Sequence, residues 1–154
     1  MKKNKSIVLG IIMILIVVLV TTGCMFYNLL KSDDFKEHFG ALGYTISDTE
    51  EPKYESDNYL VATMEDMPFK IEYYEFKDEI EAKKVYNKFK KSITDYITSD
   101  SSNQETTGAV FSKTVAVSEN EYIVISRVKN TLIFIAGTND YANEINTLLE
   151  DIRY

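Results

Sequence analysis

His38 is the only histidine in the chain; it stands four residues after Asp34 and directly after Glu37. On a helix, positions i and i+4 share a face, so an imidazole and a carboxylate could meet at one metal ion. A lone histidine without a second pair of ligands makes a poor zinc site, and the same spacing suits the polar face of a capped helix. The stretch SDTEEPKYESDN, residues 47–58, carries Asp48, Glu50, Glu51, Glu55 and Asp57. Several carboxylate oxygens can hold calcium. The D-x-D-x-D-G spacing that pre-positions them is missing, and the stretch reads as an exposed loop broken by Pro52. No metal site is assigned.

Nucleophilic chemistry finds no better footing. There is no G-x-S-x-G elbow, and one histidine must serve any serine triad. Cys24, the only cysteine, closes a long apolar run and cannot serve papain-like chemistry there. Gly40 and Gly43 are the only close glycine pair, so no phosphate-cradling loop is present. Among 24 acids no pair stands out as the two carboxylates of a glycosidase. Neither a catalytic residue nor a cofactor is assigned.

Binding has more support. Arg127 lies within SRVKNTLIFIAG, mid-strand, with Ile125 and Lys129 on its own face. It either pairs with a helix acid such as Glu144, faces a ligand, or lies on the surface. Tyr73, Tyr74 and Tyr122 could line a groove on the sheet, although strand aromatics also simply fit a pleated surface. These four residues form the expected binding face.

The elements that would position them are read from periodicity. Ser32–Leu42 reads as a helix capped by Ser32, with Asp33 and Asp34 at the positive end of its dipole. Phe35, Phe39 and Leu42 share one face, and Gly43 ends it. Tyr44–Ile46 is a brief strand and Tyr59–Thr63 another. Phe69–Phe76 alternates, with Phe69, Ile71 and Tyr73 inward and Lys70, Glu72 and Tyr74 outward. Asp78–Ile97 is the strongest helix, opened by Asp78 and Glu81. Its stripe is Ile80, Ala82, Val85, Phe89, Ile93, Tyr96 and Ile97; its lysines form a solvated face. Thr98–Gly108 is polar and reads as a loop.

Ala109–Val117, Tyr122–Val128 and Thr131–Ala136 are strands, the last two joined by Lys129-Asn130, with Asn130 suited to positive φ. Leu132–Ile135 is apolar on both faces and should be central; Gly137 and Thr138 should end it. Asn139–Arg153 is a final helix. Strands grouped as hairpins predict an α+β fold: an antiparallel sheet of about five strands, with helices packed mainly on one face.

The first residues set the location. Lys2, Lys3 and Lys5 precede Ile7–Val20, an uncharged apolar run. Positive charge stays on the cytoplasmic side, so the chain beyond the run should be exported. Three of the 17 basic side chains lie before residue 6, and all 24 acids lie after residue 32. Residues 28–154 thus hold 14 basic and 24 acidic groups, a net charge of −10. Such a surface repels phosphate backbones, which argues against a nucleic-acid partner.

Two readings of Cys24 stay open. Ile7–Tyr27 supplies 21 residues, enough to cross a hydrocarbon core of roughly 20 residues as an uncut signal anchor. Alternatively, Gly23 before Cys24 fits a lipoprotein signal, cut before Cys24 and lipidated on it. Thr21 departs from the aliphatic residue usual in that pattern, and Met25, Phe26 and Tyr27 depart from its polar tether.

MKKNK, the apolar run to Val20 and TTGC together resemble the start of small lipoproteins and membrane-anchored proteins of Gram-positive bacteria. The resemblance covers about the first sixth of the chain and implies no activity. The expected organisation is a signal anchor or lipoprotein signal at 1–27 and an extracytoplasmic α+β domain at 28–154. The expected role is a membrane-tethered interaction or binding module whose partner, protein or small ligand, is not named by the sequence. The alternative is an exported small-ligand-binding lipoprotein.

Overall fold

A computed structural model describes residues 29–48, 53–96 and 102–154. The expectations for 1–27, including Cys24, and for Glu50 and Glu51 lie outside the described residues. No described helix is long and apolar enough to cross a membrane.

Helix α1 spans Ser32–Ala41. Its cap is Lys31 rather than Ser32: the Lys31 backbone N–H donates to Asp34 Oδ2 at 3.3 Å. Gly43 ends the helix with φ +88°. There the N–H of Gly43 reaches Gly40 O at 3.0 Å and that of Tyr44 reaches Phe39 O at 3.0 Å. Both orphan carbonyls are thereby satisfied in the left-handed closure glycine favours.

Strands β1 (Thr45–Asp48), β2 (Asn58–Thr63) and β3 (Lys70–Glu75) form a meander, with a short 3-10 turn at Lys53–Glu55 between β1 and β2. Helix α2 (Glu79–Tyr96) then crosses the sheet to β4 (Ser102–Thr107) at the far edge. The chain returns through β5 (Phe111–Val117), β6 (Glu121–Val128) and β7 (Thr131–Thr138). A 3-10 turn at Asn139–Tyr141 leads into helix α3, Ala142–Asp151. The strand order is β1-β2-β3-β7-β6-β5-β4, with every neighbouring pair antiparallel. The α+β class and the antiparallel sheet are therefore as expected, but the sheet has seven strands, not about five. LIFI does fall in the central strand.

The helices do not gather on one face. Phe35 and Phe39 of α1 and Ile145 and Leu149 of α3 pack on Leu60, Ile71, Tyr73, Ile133 and Ile135. Ala82, Val85, Tyr86 and Ile93 of α2 pack on the opposite face, on Tyr74, Phe76, Ile125 and Leu132. The reason lies in the sequence of β3 and β7. Alternation places Tyr73 and Ile133 on one side and Tyr74 and Leu132 on the other, so both sides present apolar area that must leave water. Glu72 and Tyr74, expected outward, are buried beneath this second layer.

The stripe of α2 also differs in detail. Ile80 is 68% exposed, because it precedes Ala82 by two residues, about 200° around the helix. Tyr96 lies exposed in the last turn, while Tyr86 is buried. The Asp78 cap forms as expected, Oδ1 accepting the N–H groups of Ile80 and Glu81 at 2.9 and 3.0 Å. In the β6–β7 turn the left-handed residue is Lys129, φ +52°, not Asn130. Asn130 instead donates from Nδ2 to Phe76 O at 2.7 Å, tying the turn to the start of α2. Gly137 continues β7 rather than ending it. A Cβ there would meet Ile145 Cδ1 at 3.1 Å and Phe69 Cβ at 3.3 Å, so its small size lets α3 close on the sheet.

Buried phenols couple this core to pH. Burial raises Tyr73, Tyr74 and Tyr154 above the ordinary value of 10.0, and it acts the same way on Tyr44 and Tyr86. A group whose folded value is raised contributes its full stability below its unfolded value and loses it as pH climbs through the folded one. Burial lowers Lys113, which acts in the opposite sense but is one group against five. The melting temperature is therefore expected to hold to about pH 10 and fall above it. Tyrosinate absorbance would check this: the folded chain should titrate later than the chain in urea, and coincident curves would contradict the packing.

Candidate functional site

The apolar face beneath α2 does not end where the helix ends. Strand register places Val61, Glu72 and Phe134 side by side on that face, and Ile123 lies on it one strand further on. Phe89, half-buried in the middle of α2, stacks on Phe134 with ring centroids 4.9 Å apart. Tyr54 from the 3-10 turn approaches Phe89 at 5.0 Å and Tyr74 at 5.9 Å. Tyr59 stacks on Tyr74 at 4.8 Å. Offset and tilted pairs of this kind each add about 0.5–1.5 kcal/mol beyond area burial.

Between these rings and the end of α2 lies a groove of about 320 Å³. Phe134 and Ile123 form its floor, Phe89 and Ile93 one wall, and Tyr54, Ser92 and Tyr96 its rim. Tyr54 is 46% exposed. It and Glu55 are consecutive residues in the left-handed region, at φ +60° and +58°. For L-residues with a Cβ that region costs roughly 1–2 kcal/mol each. The chain thus holds a tyrosine ring over the groove at an energetic cost. Next to the groove, the buried Glu72 carboxylate accepts the Tyr74 hydroxyl and pairs with Lys70 Nζ at 2.6 Å.

The four residues expected to share a binding face are divided between the two sides of the sheet. Tyr73 and Tyr122 face α1 and α3. Tyr73 donates its hydroxyl to Leu30 O at 2.8 Å, and Tyr122 donates to Asn146 Oδ1 at 2.9 Å. Tyr74 belongs to the aromatic cluster under α2. Arg127 also faces α2, at 2% exposure. Its Nη1 donates to Glu79 Oε1 at 3.0 Å and to Lys129 O at 2.9 Å, and its Nη2 to Ser112 Oγ at 3.4 Å. The partner is thus Glu79 in the first turn of α2. Glu144 lies on α3, across the sheet. Arg127 fastens the start of the crossover helix, and Tyr86 does the same midway, its hydroxyl 2.7 Å from Thr114 Oγ1.

A second, more polar cavity of about 490 Å³ lies between the start of α1 and the residues after α3. Asp34, His38, Asp151 and Arg153 line it, and His38 Nε2 is buried without a hydrogen-bond partner. Among the described residues no three potential metal ligands converge; Asp48, Glu55 and Asp57 of the acidic stretch form no such group.

No family model, curated protein or solved structure matches the chain. The site is therefore read from its own chemistry. An apolar floor, a wall of Phe89 and Ile93 and three hydroxyl-bearing residues at the rim suit an uncharged ring or short aliphatic group. Of the groove residues, Phe89 and Ile93 were visible in the helix stripe, though as core. Tyr96 stood in the same stripe, whereas Tyr54 and Ser92 were missed; the signal for Tyr54 was an aromatic residue stranded in an otherwise acidic, polar loop.

Proposed function

We propose that the chain is a membrane-tethered binding module, its globular part outside the cytoplasm, that receives an apolar group in the groove between Tyr54 and Phe134. The observation that carries this reading is the pair of left-handed residues at Tyr54 and Glu55. Backbone strain of this kind persists where the surroundings over-determine it and is concentrated at ligand clamps. Here it keeps a large aromatic ring half in water at the mouth of an apolar groove. The groove volume, near the lower end for small-molecule sites, suits a single ring or branched side chain rather than a flat protein patch. That favours the small-ligand form of the reading. The tether rests on the three lysines and the apolar run before Val20.

The chain has no tryptophan, so Tyr96→Trp places a single reporter at the rim. On titration with N-acetyl-phenylalaninamide its emission should shift to the blue and saturate. Adding Tyr54→Ala should weaken that binding by about tenfold, near 1.4 kcal/mol. A response that never saturates, or one indifferent to Tyr54, would overturn the assignment.

A further inference from the structure

We propose a second binding site, for a basic peptide segment bearing one large apolar side chain, in the groove between α3 and the β2–β3 turn. The groove has a volume of about 370 Å³. Tyr44, Met67 and Leu148 give it an apolar floor, and Asn143, Glu144 and Thr147 edge it along α3. Met67 suits an adaptable site, because an unbranched thioether repacks around varied partners.

Charge identifies the occupant. The segments that build this end, residues 40–47, 60–69 and 138–148, contain four acids, Glu65, Asp66, Asp140 and Glu144, and neither a lysine nor an arginine. The two lysines nearest in sequence are engaged: Lys36 with Asp48 at 3.0 Å and Lys70 with Glu72 at 2.6 Å, the latter on the other face of the sheet. Glu65, Asp66 and Glu144 are exposed, and among the described residues none has a cation within ion-pair distance. An apolar slot edged by the exposed Glu144, with Glu65 and Asp66 in the turn that carries Met67, attracts a ligand with a hydrophobic anchor flanked by positive charge and repels its acidic counterpart.

Position agrees with this. Tyr154 is bonded to Thr131 at the end of the sheet where Glu75 and Thr131 pair, and Leu30 lies beside Tyr73 at the start of α1. The groove sits at the opposite end, where β1 begins, β2 turns into β3 and α3 starts. A chain held at its N-terminal side would present this end outward. The site is independent of the Tyr54 groove, which lies on the other face.

The test uses the full chain in nanodiscs of zwitterionic lipid and dye-labelled KKFKK, followed by fluorescence anisotropy. Saturable binding is expected. Exchanging the peptide's phenylalanine for serine, or its lysines for glutamates, should each weaken it by about tenfold or more. Asp66→Lys with Glu144→Lys should do the same, whereas Asp95→Lys with Glu119→Lys, an equal charge change elsewhere, should leave affinity within about twofold. Circular dichroism would show that each variant is folded. Absence of saturable binding by the wild-type chain would overturn the proposal. So would equal binding of KKSKK, which would reduce it to charge attraction, or equal loss from the remote pair, which would reduce it to net charge.

Discussion

Glu79→Ala is expected to cost about 2–3 kcal/mol of stability, while Arg127→Met stays within about 1 kcal/mol of the unaltered chain. The asymmetry comes from where each charge sits. The Arg127 side chain is 3% exposed and that of Glu79 is 49% exposed. Removing Glu79 strands a guanidinium in the interior, with only Lys129 O and Ser112 Oγ left as partners. Loss of one partner of a fully dry pair costs about 3–5 kcal/mol; water at the Glu79 carboxylate argues for less. Removing Arg127 returns Glu79 to solvent and replaces the buried charge with an apolar chain of similar length, although two acceptors lose a donor. Urea melts of the two variants would check the order. A larger cost for Arg127→Met would show that the ion pair, rather than the burial of one charge, governs this joint.

Phe35→Ala should cost about 3–5 kcal/mol, the range for truncating a buried aromatic residue. Phe35 is fully buried, 4.6 Å from the Phe39 ring and stacked 4.8 Å from Tyr73. A ten-residue helix is marginal alone in water, so α1 exists because this face is packed. Its loss would also free the Leu30 carbonyl that accepts the Tyr73 hydroxyl. Phe89→Ala, which the helix stripe alone would place in the same range, should cost less, about 2–3 kcal/mol, because Phe89 is half-buried at the groove. Urea melting of both variants tests the contrast; equal costs would mean the groove is closed.

Much of the architecture was legible because the strongly patterned segments are patterned for one reason each. FKIEYYEF alternates, the Asp78 helix carries its own cap, and LIFI is apolar on both sides. The features that escaped the sequence lacked such a signal. SNQETT, strand β4, is exposed at all six positions, and no apolar period marks it. Its place comes from backbone pairing with β5 and from Lys90 of α2 reaching Glu105. The second layer escaped because alternation in β3 places Tyr74 opposite Tyr73 without saying whether water or a helix meets it. The residues of the proposed groove were hardest. Alternation already separates Tyr73 from Tyr74, but only register puts Tyr122 on the Tyr73 side of the sheet. Tyr54 works through a strained backbone that no side-chain pattern reports.

The claim on which location and role both depend is that a folded acidic body is held at the outer surface of a cell membrane. Protease added to intact cells, with blotting for residues 28–154, tests it directly. The account predicts that the chain sediments with membranes and is digested while a cytoplasmic marker survives. A full-length chain that stays intact and is recovered in the soluble cytosol would contradict it.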